Sequence, residues 1–262
     1  MTQPDSLASR QFSPHAAAYV ASPVHAQGED LEELKRLAQA HGFDRALDLG
    51  CGGGHVGFAM APFVREVVAC DLSQAMLAAV EKEAAARGIT NLTTRQGAAE
   101  ALPFEDATFD FAATRYSAHH WNDVPVALGE TRRVLKPAAL LMVMDAVAPE
   151  YVPCDTFLQT IEMLRDSSHV RDYSVPEWSD MLKAAGFAPG EAACRRVRLD
   201  FASWIARMQT PKVQADAILA LMAEMSDEVR AHFAVEPDGS FMLDTASIVA
   251  RAVTPQAATG AA

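Results

Sequence analysis

The chain has 262 residues, half of them hydrophobic and 21% charged, and carries a formal net charge of −12 at pH 7. That much apolar material suits one α/β domain with a sizeable core. An acidic chain repels phosphate backbones, so no nucleic-acid partner is expected, and Arg132-Arg133 and Arg195-Arg196 read as solvated faces. Neither a basic-then-apolar leader nor a membrane-length apolar run is present, which predicts a soluble, cytoplasmic protein with no membrane partner. Cys51, Cys70, Cys154 and Cys194 lack CxxC pairing and zinc spacing. They read as small buried residues of a reducing compartment, and no metal is expected.

In chain order, residues 1–28 carry Pro4, Pro14 and Pro23 and read as an irregular or partly helical arm. Asp30 to His41 repeats leucine at helical spacing and stops at Gly42. Arg45 to Leu49 is the first strand, Gly54 to Ala61 a short helix ended by Pro62, and Val67 to Asp71 a second strand. Ser73 caps a helix to Arg87; Leu92 to Gln96 and Phe109 to Thr114 are strands three and four. A helix over Val124 to Leu135 leads, past Lys136-Pro137, to strand five at Leu140 to Met144. This alternation predicts a parallel, doubly wound sheet.

Beyond it, Asp155 to Arg165 is an amphipathic helix, and Ser174-Val175-Pro176-Glu177 fits a capping box for a helix to Ala185. Val197 to Phe201 alternates as a strand, helices fill Ser203 to Phe233, and a last strand starts at Phe241. The tail Thr254 to Ala262 is expected to be disordered.

The most informative stretch is Ala46-Leu47-Asp48-Leu49-Gly50-Cys51-Gly52-Gly53-Gly54-His55, a strand running into a glycine turn and a helix. Glycine lets backbone approach a ligand closely, and the helix N-terminus adds free N–H groups. Gly52, Gly54 and Gly57, with Asp71 downstream, match the dinucleotide pattern only weakly. The better register starts at Gly50, directly after the strand. Asp48 then lies where a pyrophosphate would be repelled and an ammonium welcomed. S-adenosylmethionine has an ammonium, a sulfonium, a ribose and no phosphate, so electrostatics favours it.

Leu47 to Gly54 resembles motif I of class I S-adenosylmethionine-dependent methyltransferases, and Asp71-Leu72-Ser73-Gln74-Ala75-Met76-Leu77 is similar to their segment after strand two. Gly97-Ala98-Ala99-Glu100-Ala101-Leu102-Pro103-Phe104, Phe109-Asp110 and Arg133-Val134-Leu135-Lys136-Pro137 follow in the family's order. The branch most resembled is that of the ubiquinone/menaquinone-biosynthesis C-methyltransferases. The resemblance implies a Rossmann-like, mostly parallel seven-stranded sheet with helices on both faces. It divides the chain into a covering arm and helix (1–42), a cofactor core (43–150), and lid helices with the last strands (151–253).

It also implies that Asp71 accepts the ribose hydroxyls, Leu72 and Met76 sandwich the adenine, and Gly50, Cys51, Gly52 and Gly54 let the loop pass the methionine portion. Asp48 would orient the ammonium. An acidic residue common after the glycine of the Gly97 motif is replaced by Ala98, which leaves the adenine edge to backbone of Ala98 and Ala99, with Glu100 as helper. Tyr19, on the arm with Phe12 and His25, would face the sulfonium.

Strand-end logic places Arg115-Tyr116-Ser117-Ala118-His119-His120-Trp121 beside the reactive methyl. His119 or His120 could serve as general base, and Arg115 could meet a carboxylate. The expected activity is methyl transfer to a small-molecule acceptor by a monomer or homodimer. An NAD-dependent oxidoreductase and a non-catalytic cofactor-binding protein are the alternatives.

Overall fold

The computed structural model describes residues 27–253, together with Leu7. Tyr19, Phe12, His25 and the 254–262 tail lie outside the described residues. The elements run α1 (Glu29–His41), β1 (Arg45–Leu49), α2 (His55–Met60), β2 (Glu66–Asp71), α3 (Gln74–Ala86), β3 (Leu92–Gln96) and β4 (Phe109–Arg115). Then come a 3₁₀ turn at Ala118–His120, α4 (Val124–Val134), β5 (Leu135–Ala146), α5 (Val152–Arg165), α6 (Val175–Ala184), β6 (Phe187–Pro189), β7 (Ala193–Leu199), α7 (Phe201–Met208), α8 (Lys212–Glu224), α9 (Asp227–Phe233) and β8 (Phe241–Ala252). No helix among the described residues is long and apolar enough to cross a membrane.

The sheet order is β3-β2-β1-β4-β5-β8-β6, with β7 also paired to β8. β1 to β5 pair in parallel, and β8 pairs antiparallel with β5, β6 and β7. The sheet therefore has eight strands where seven were expected. β8 is long enough for two short partners on one edge: its Ala250–Ala252 end takes β6 and its Phe241–Ser247 end takes β7. The three-residue β6 is too short to leave a periodic signal, which is why the sequence does not announce it.

Other boundaries move for local reasons. Strand five starts at Leu135 rather than Leu140, because Leu135 pairs with Phe109 before a register shift and Ala138 takes φ 62°. That bulge sends Phe109 and Phe111 to opposite faces, although two residues apart they would share one. β7 spans Ala193–Leu199, and Phe201 belongs to α7, whose N-cap Asp200 accepts the Ser203 N–H.

Two core layers sandwich the sheet. Leu31, Leu34 and Ala38 of α1 pack with Met60, Phe111 and Met142 on one face, and Leu128, Trp178 and Leu182 pack with Leu47 and Leu141 on the other. Each such fully buried leucine is worth about 1.5–3 kcal/mol. A separate cluster joins α5, α7, α8 and α9 through Leu158, Trp204, Ile218 and Phe233 to Phe241. This cap has its own core and borders the carboxyl ends of the parallel strands.

Three cysteines are buried as expected, but Cys194 is exposed on β7, and all four are free. Arg133 is not a merely solvated residue. It binds Glu130 and the carbonyls of Leu102 and Phe104, while Glu130 accepts the Leu102 N–H. The Arg133 motif thus pins the Leu102-Pro103-Phe104 motif.

Candidate active site

A cavity of about 870 Å³ opens along the carboxyl ends of β1, β2 and β4 and continues beneath the cap. Its size is within the range of small-molecule sites.

At one end is the glycine turn. Gly50, Gly52 and Gly54 have φ of 65°, 46° and 77°, a region that favours glycine. Their reasons differ. A Cβ on Gly52 would meet nothing within 4 Å, so that glycine keeps cavity space open. A Cβ on Gly50 would stand 1.9 Å from the Ser117 hydroxyl oxygen, and one on Gly54 would press on Phe58 and Val80. Gly50 and Gly54 therefore serve packing first, and Gly54 does not line the cavity.

Asp71 ends β2. Its Oδ2 accepts the Gly52 N–H at 2.9 Å and its Oδ1 accepts the Ser73 N–H at 2.8 Å. Each carboxylate oxygen retains a second lone pair for a ligand hydroxyl. Burial raises its pKa against the pull of those two N–H bonds. Leu72 and Met76 line the wall beside it.

Asp48 is 1% exposed, and its Oδ2 accepts the Gly57 N–H at 2.8 Å. Burial lifts its pKa to about 7; the Gly57 N–H opposes this and the charge of Asp71 adds to it. The Cys51 thiol is pushed well above its ordinary value by burial and by Asp71, so it stays protonated.

Of the Gly97 motif, Ala99 lines the cavity, whereas Ala98 and Glu100 do not. A Cβ on Gly97 would strike the Pro103 ring at 2.5 Å, which explains that glycine within the motif. Glu100 instead accepts the Asn122 N–H at 2.9 Å and ties the motif to the turn carrying the histidines. Arg115 pairs with Asp30 and with the Gln27 carbonyl, fastening α1 to the end of β4.

The other end of the cavity is built around the 3₁₀ turn. The Nδ1–H of His119 donates to Asp145 Oδ1 at 2.7 Å, and Asp145 also accepts the N–H groups of Ala118 and Ala146. Burial alone depresses an imidazole, but here Asp145, with Asp172 and Glu162 behind it, carries His119 up to about 9. The buried acid beside it thus favours the charged form of the His119 ring.

His120 goes the other way. Burial and the charge of His119 push it well below its ordinary value. Its Nδ1 lies 3.2 Å from the Ser168 carbonyl oxygen. Sequence reasoning missed Asp145, Glu162, Asp166 and Asp172. Asp145 was legible in principle, since it ends the strand next to β4, where ligands of open sheets gather. The other three arrive from the cap, whose placement no local pattern reveals.

A dinucleotide site places a pyrophosphate on the helix N-terminus, yet here two carboxylates, the buried Asp48 and the half-buried Asp71, flank the glycine turn. A nucleoside ligand that brings positive charge and hydroxyls fits this pocket, and the open space over Gly52 leaves its backbone within reach. Fold and pocket together define a class I S-adenosylmethionine-dependent methyltransferase.

Comparison with known proteins narrows this. The model of the methyltransferase domain family matches residues 47–143. The chain is 46% identical over 195 residues to the uncharacterized protein YafE of Escherichia coli K12, covering 74% of this chain and 94% of that one. It is 36% identical over 224 residues to the uncharacterized methyltransferase YcgJ of Bacillus subtilis 168, covering 86% and 88%. The YcgJ crystal structure superimposes with a TM-score of 0.83 at 33% identity, over 86% of this chain and 99% of that one. A ubiquinone/menaquinone biosynthesis C-methyltransferase, UbiE of Zymomonas mobilis, is 28% identical over 179 residues, covering 60% and 72%. The chain belongs to the methyltransferase domain family, within class I and related to the UbiE-like branch.

Proposed function

We propose that this methyltransferase acts on a small-molecule acceptor in the reducing cytoplasm, as a monomer or homodimer. The observation that carries the reading is one continuous cavity of about 870 Å³ running from Asp71 to the buried Asp172 under α5 and α7. That depth suits a small molecule lying beyond a nucleoside cofactor better than a polymer. Four free cysteines support a reducing location.

S-adenosylmethionine supplies an electrophilic methyl group on a sulfonium. On the donor side, Asp71 would hold the ribose hydroxyls, Leu72 and Met76 would flank the adenine, and Ala99 would meet its edge, with Ala98 behind it. Asp48 attracts the ammonium, Gly50, Cys51 and Gly52 form the floor, and Gly54 and Glu100 hold that floor in place. Arg115, held by Asp30, stands in the wall of the cavity, within reach of a cofactor carboxylate.

On the acceptor side, Asp145 keeps the Nδ1–H of His119 and so directs Nε2 as the atom that takes a proton from the acceptor. His120 fixes the Ser168 loop that forms the neighbouring wall. Incubation with methyl-labelled cofactor and a cell extract tests the reading. Label is expected in the small-molecule fraction, and label confined to protein or RNA would refute it.

A further inference from the structure

Asp172 is 2% exposed and lines the deep end of the cavity, yet neither of its carboxylate oxygens has a hydrogen-bond partner among the described residues. A buried carboxylate without a partner is costly unless something compensates it.

The neighbouring groups are already engaged. Glu162 pairs with Arg165 at 3.2 Å, and Asp166 accepts the N–H and hydroxyl of Ser168 at 2.8 and 2.7 Å. Arg171 binds Asp155 and Glu177. The His169 Nε2 lies 3.0 Å from Gln159 Oε1 and 4.0 Å from the nearest Asp172 oxygen, beyond hydrogen-bond reach. His119 and Asp145 neutralise each other.

Asp172 is also firmly held. Gln159 accepts its N–H at 3.1 Å and donates to its carbonyl at 2.8 Å, and Asp155 fixes the Gln159 amide in turn. A loop clamped at both backbone groups presents a carboxylate that the protein itself leaves unserved.

We infer that Asp172 receives a positively charged nitrogen of the acceptor, making the substrate an amine- or amidine-type cation rather than a neutral or anionic molecule. The inference rests on the small-molecule reading above and names its substrate class. A divalent metal fits less well. Ligand atoms of His119, Asp145 and Asp172 do lie within 4.8 Å of one another, but Asp145 already takes three N–H donors. That leaves it as the residue that orients His119. The apolar part of such a substrate meets Trp204, Met208 and Leu243 on the same wall. Burial, with Glu162 and Asp145 adding and His119 and Arg171 opposing, lifts Asp172 to about 8, so an arriving cation displaces a proton.

The test is calorimetry on the full chain saturated with S-adenosylhomocysteine, using benzylamine and benzyl alcohol as probes at pH 7. Two buffers of different ionisation enthalpy report the protons released. Benzylamine is expected to bind with proton release, and Asp172→Asn to weaken it about 10- to 100-fold and abolish the release. Gln159→Ala, which frees the Asp172 backbone, is expected to give a smaller loss, and benzyl alcohol should respond to neither variant. Homocysteine-cofactor affinity, measured first in each variant, reports folding and the donor site separately. Benzylamine binding that is absent, or equal in wild type and Asp172→Asn, overturns the inference. So does stoichiometric Mn²⁺ binding lost in that variant. A nitrogen-free acceptor found by labelled transfer would overturn it too, while leaving the small-molecule reading intact.

Discussion

The Nδ1 of His119 and the Oδ1 of Asp145 lie 2.7 Å apart, joining the turn after β4 to the end of β5. A buried carboxylate in that position fixes the tautomer and orientation of the ring and stabilises its charged form. Asp145→Asn removes the charge and keeps the shape. The histidine pKa, followed by NMR, is expected to fall from about 9; above pH 9, where both rings are neutral, loss of the fixed tautomer is expected to lower methyl transfer by roughly 10²-fold, with cofactor affinity unchanged, and near pH 7 the larger fraction of free base offsets part of that loss.

The same pair sets a pH dependence. A base works only when deprotonated, so single-turnover methyl transfer is expected to rise with pH until about 9, where His119 titrates. His119→Asn flattens the profile. A wild-type rate already level from pH 6 upward would remove His119 from the proton-transfer step.

Asp48 gives a second titration of opposite consequence. Its carboxyl is protonated below about 7, and an ammonium prefers the carboxylate, so cofactor affinity is expected to increase as pH rises through 7. Asp48→Asn abolishes that slope in calorimetry. For the protein without cofactor the sign reverses. The folded pKa lies above the ordinary 3.8, so the cost of the buried charge is absent at low pH, grows from about 4 to 7 and is complete above 7. Thermal unfolding at pH 8 should therefore show Asp48→Asn several degrees more stable, and at pH 4 no more stable, than wild type.

The glycines of the turn separate packing from binding. Gly52→Ala projects a methyl into open cavity space, so it is expected to lower cofactor affinity more than tenfold with a small change in Tm, apart from the cost of φ 46°. Gly50→Ala drives its Cβ into Ser117 and is expected to lower Tm clearly as well. Paired melting and titration curves distinguish the two.

Much of the donor side was legible in the sequence because its signals are local. A buried strand, a glycine turn and a carboxylate at the next strand's end fall within 26 residues, and the structure brings Asp48, Gly52, Asp71, Leu72 and Met76 to one wall. Glu100, expected as an adenine helper, accepts the Asn122 N–H, since motif position says nothing about where a side chain turns. The acceptor side was only half legible. His119 and His120 follow a strand end, but Asp172 and Asp166 reach them from a cap loop some 50 residues away in sequence, linked by His119 accepting the Val170 N–H through its carbonyl. The eighth strand went unread because β6 has only three residues.

The central claim is that one cavity has a donor end at Asp71 and an acceptor end at His119 and Asp145, with separable duties. Titration of S-adenosylhomocysteine into Asp71→Ala and Asp145→Asn, alongside methyl transfer by each, tests it most directly. The account predicts that, above pH 9, both variants lose turnover, and that Asp71→Ala binds the cofactor product about 10- to 100-fold more weakly while Asp145→Asn binds it as wild type does. Wild-type affinity in Asp71→Ala, or an equal loss of affinity in both, would contradict it.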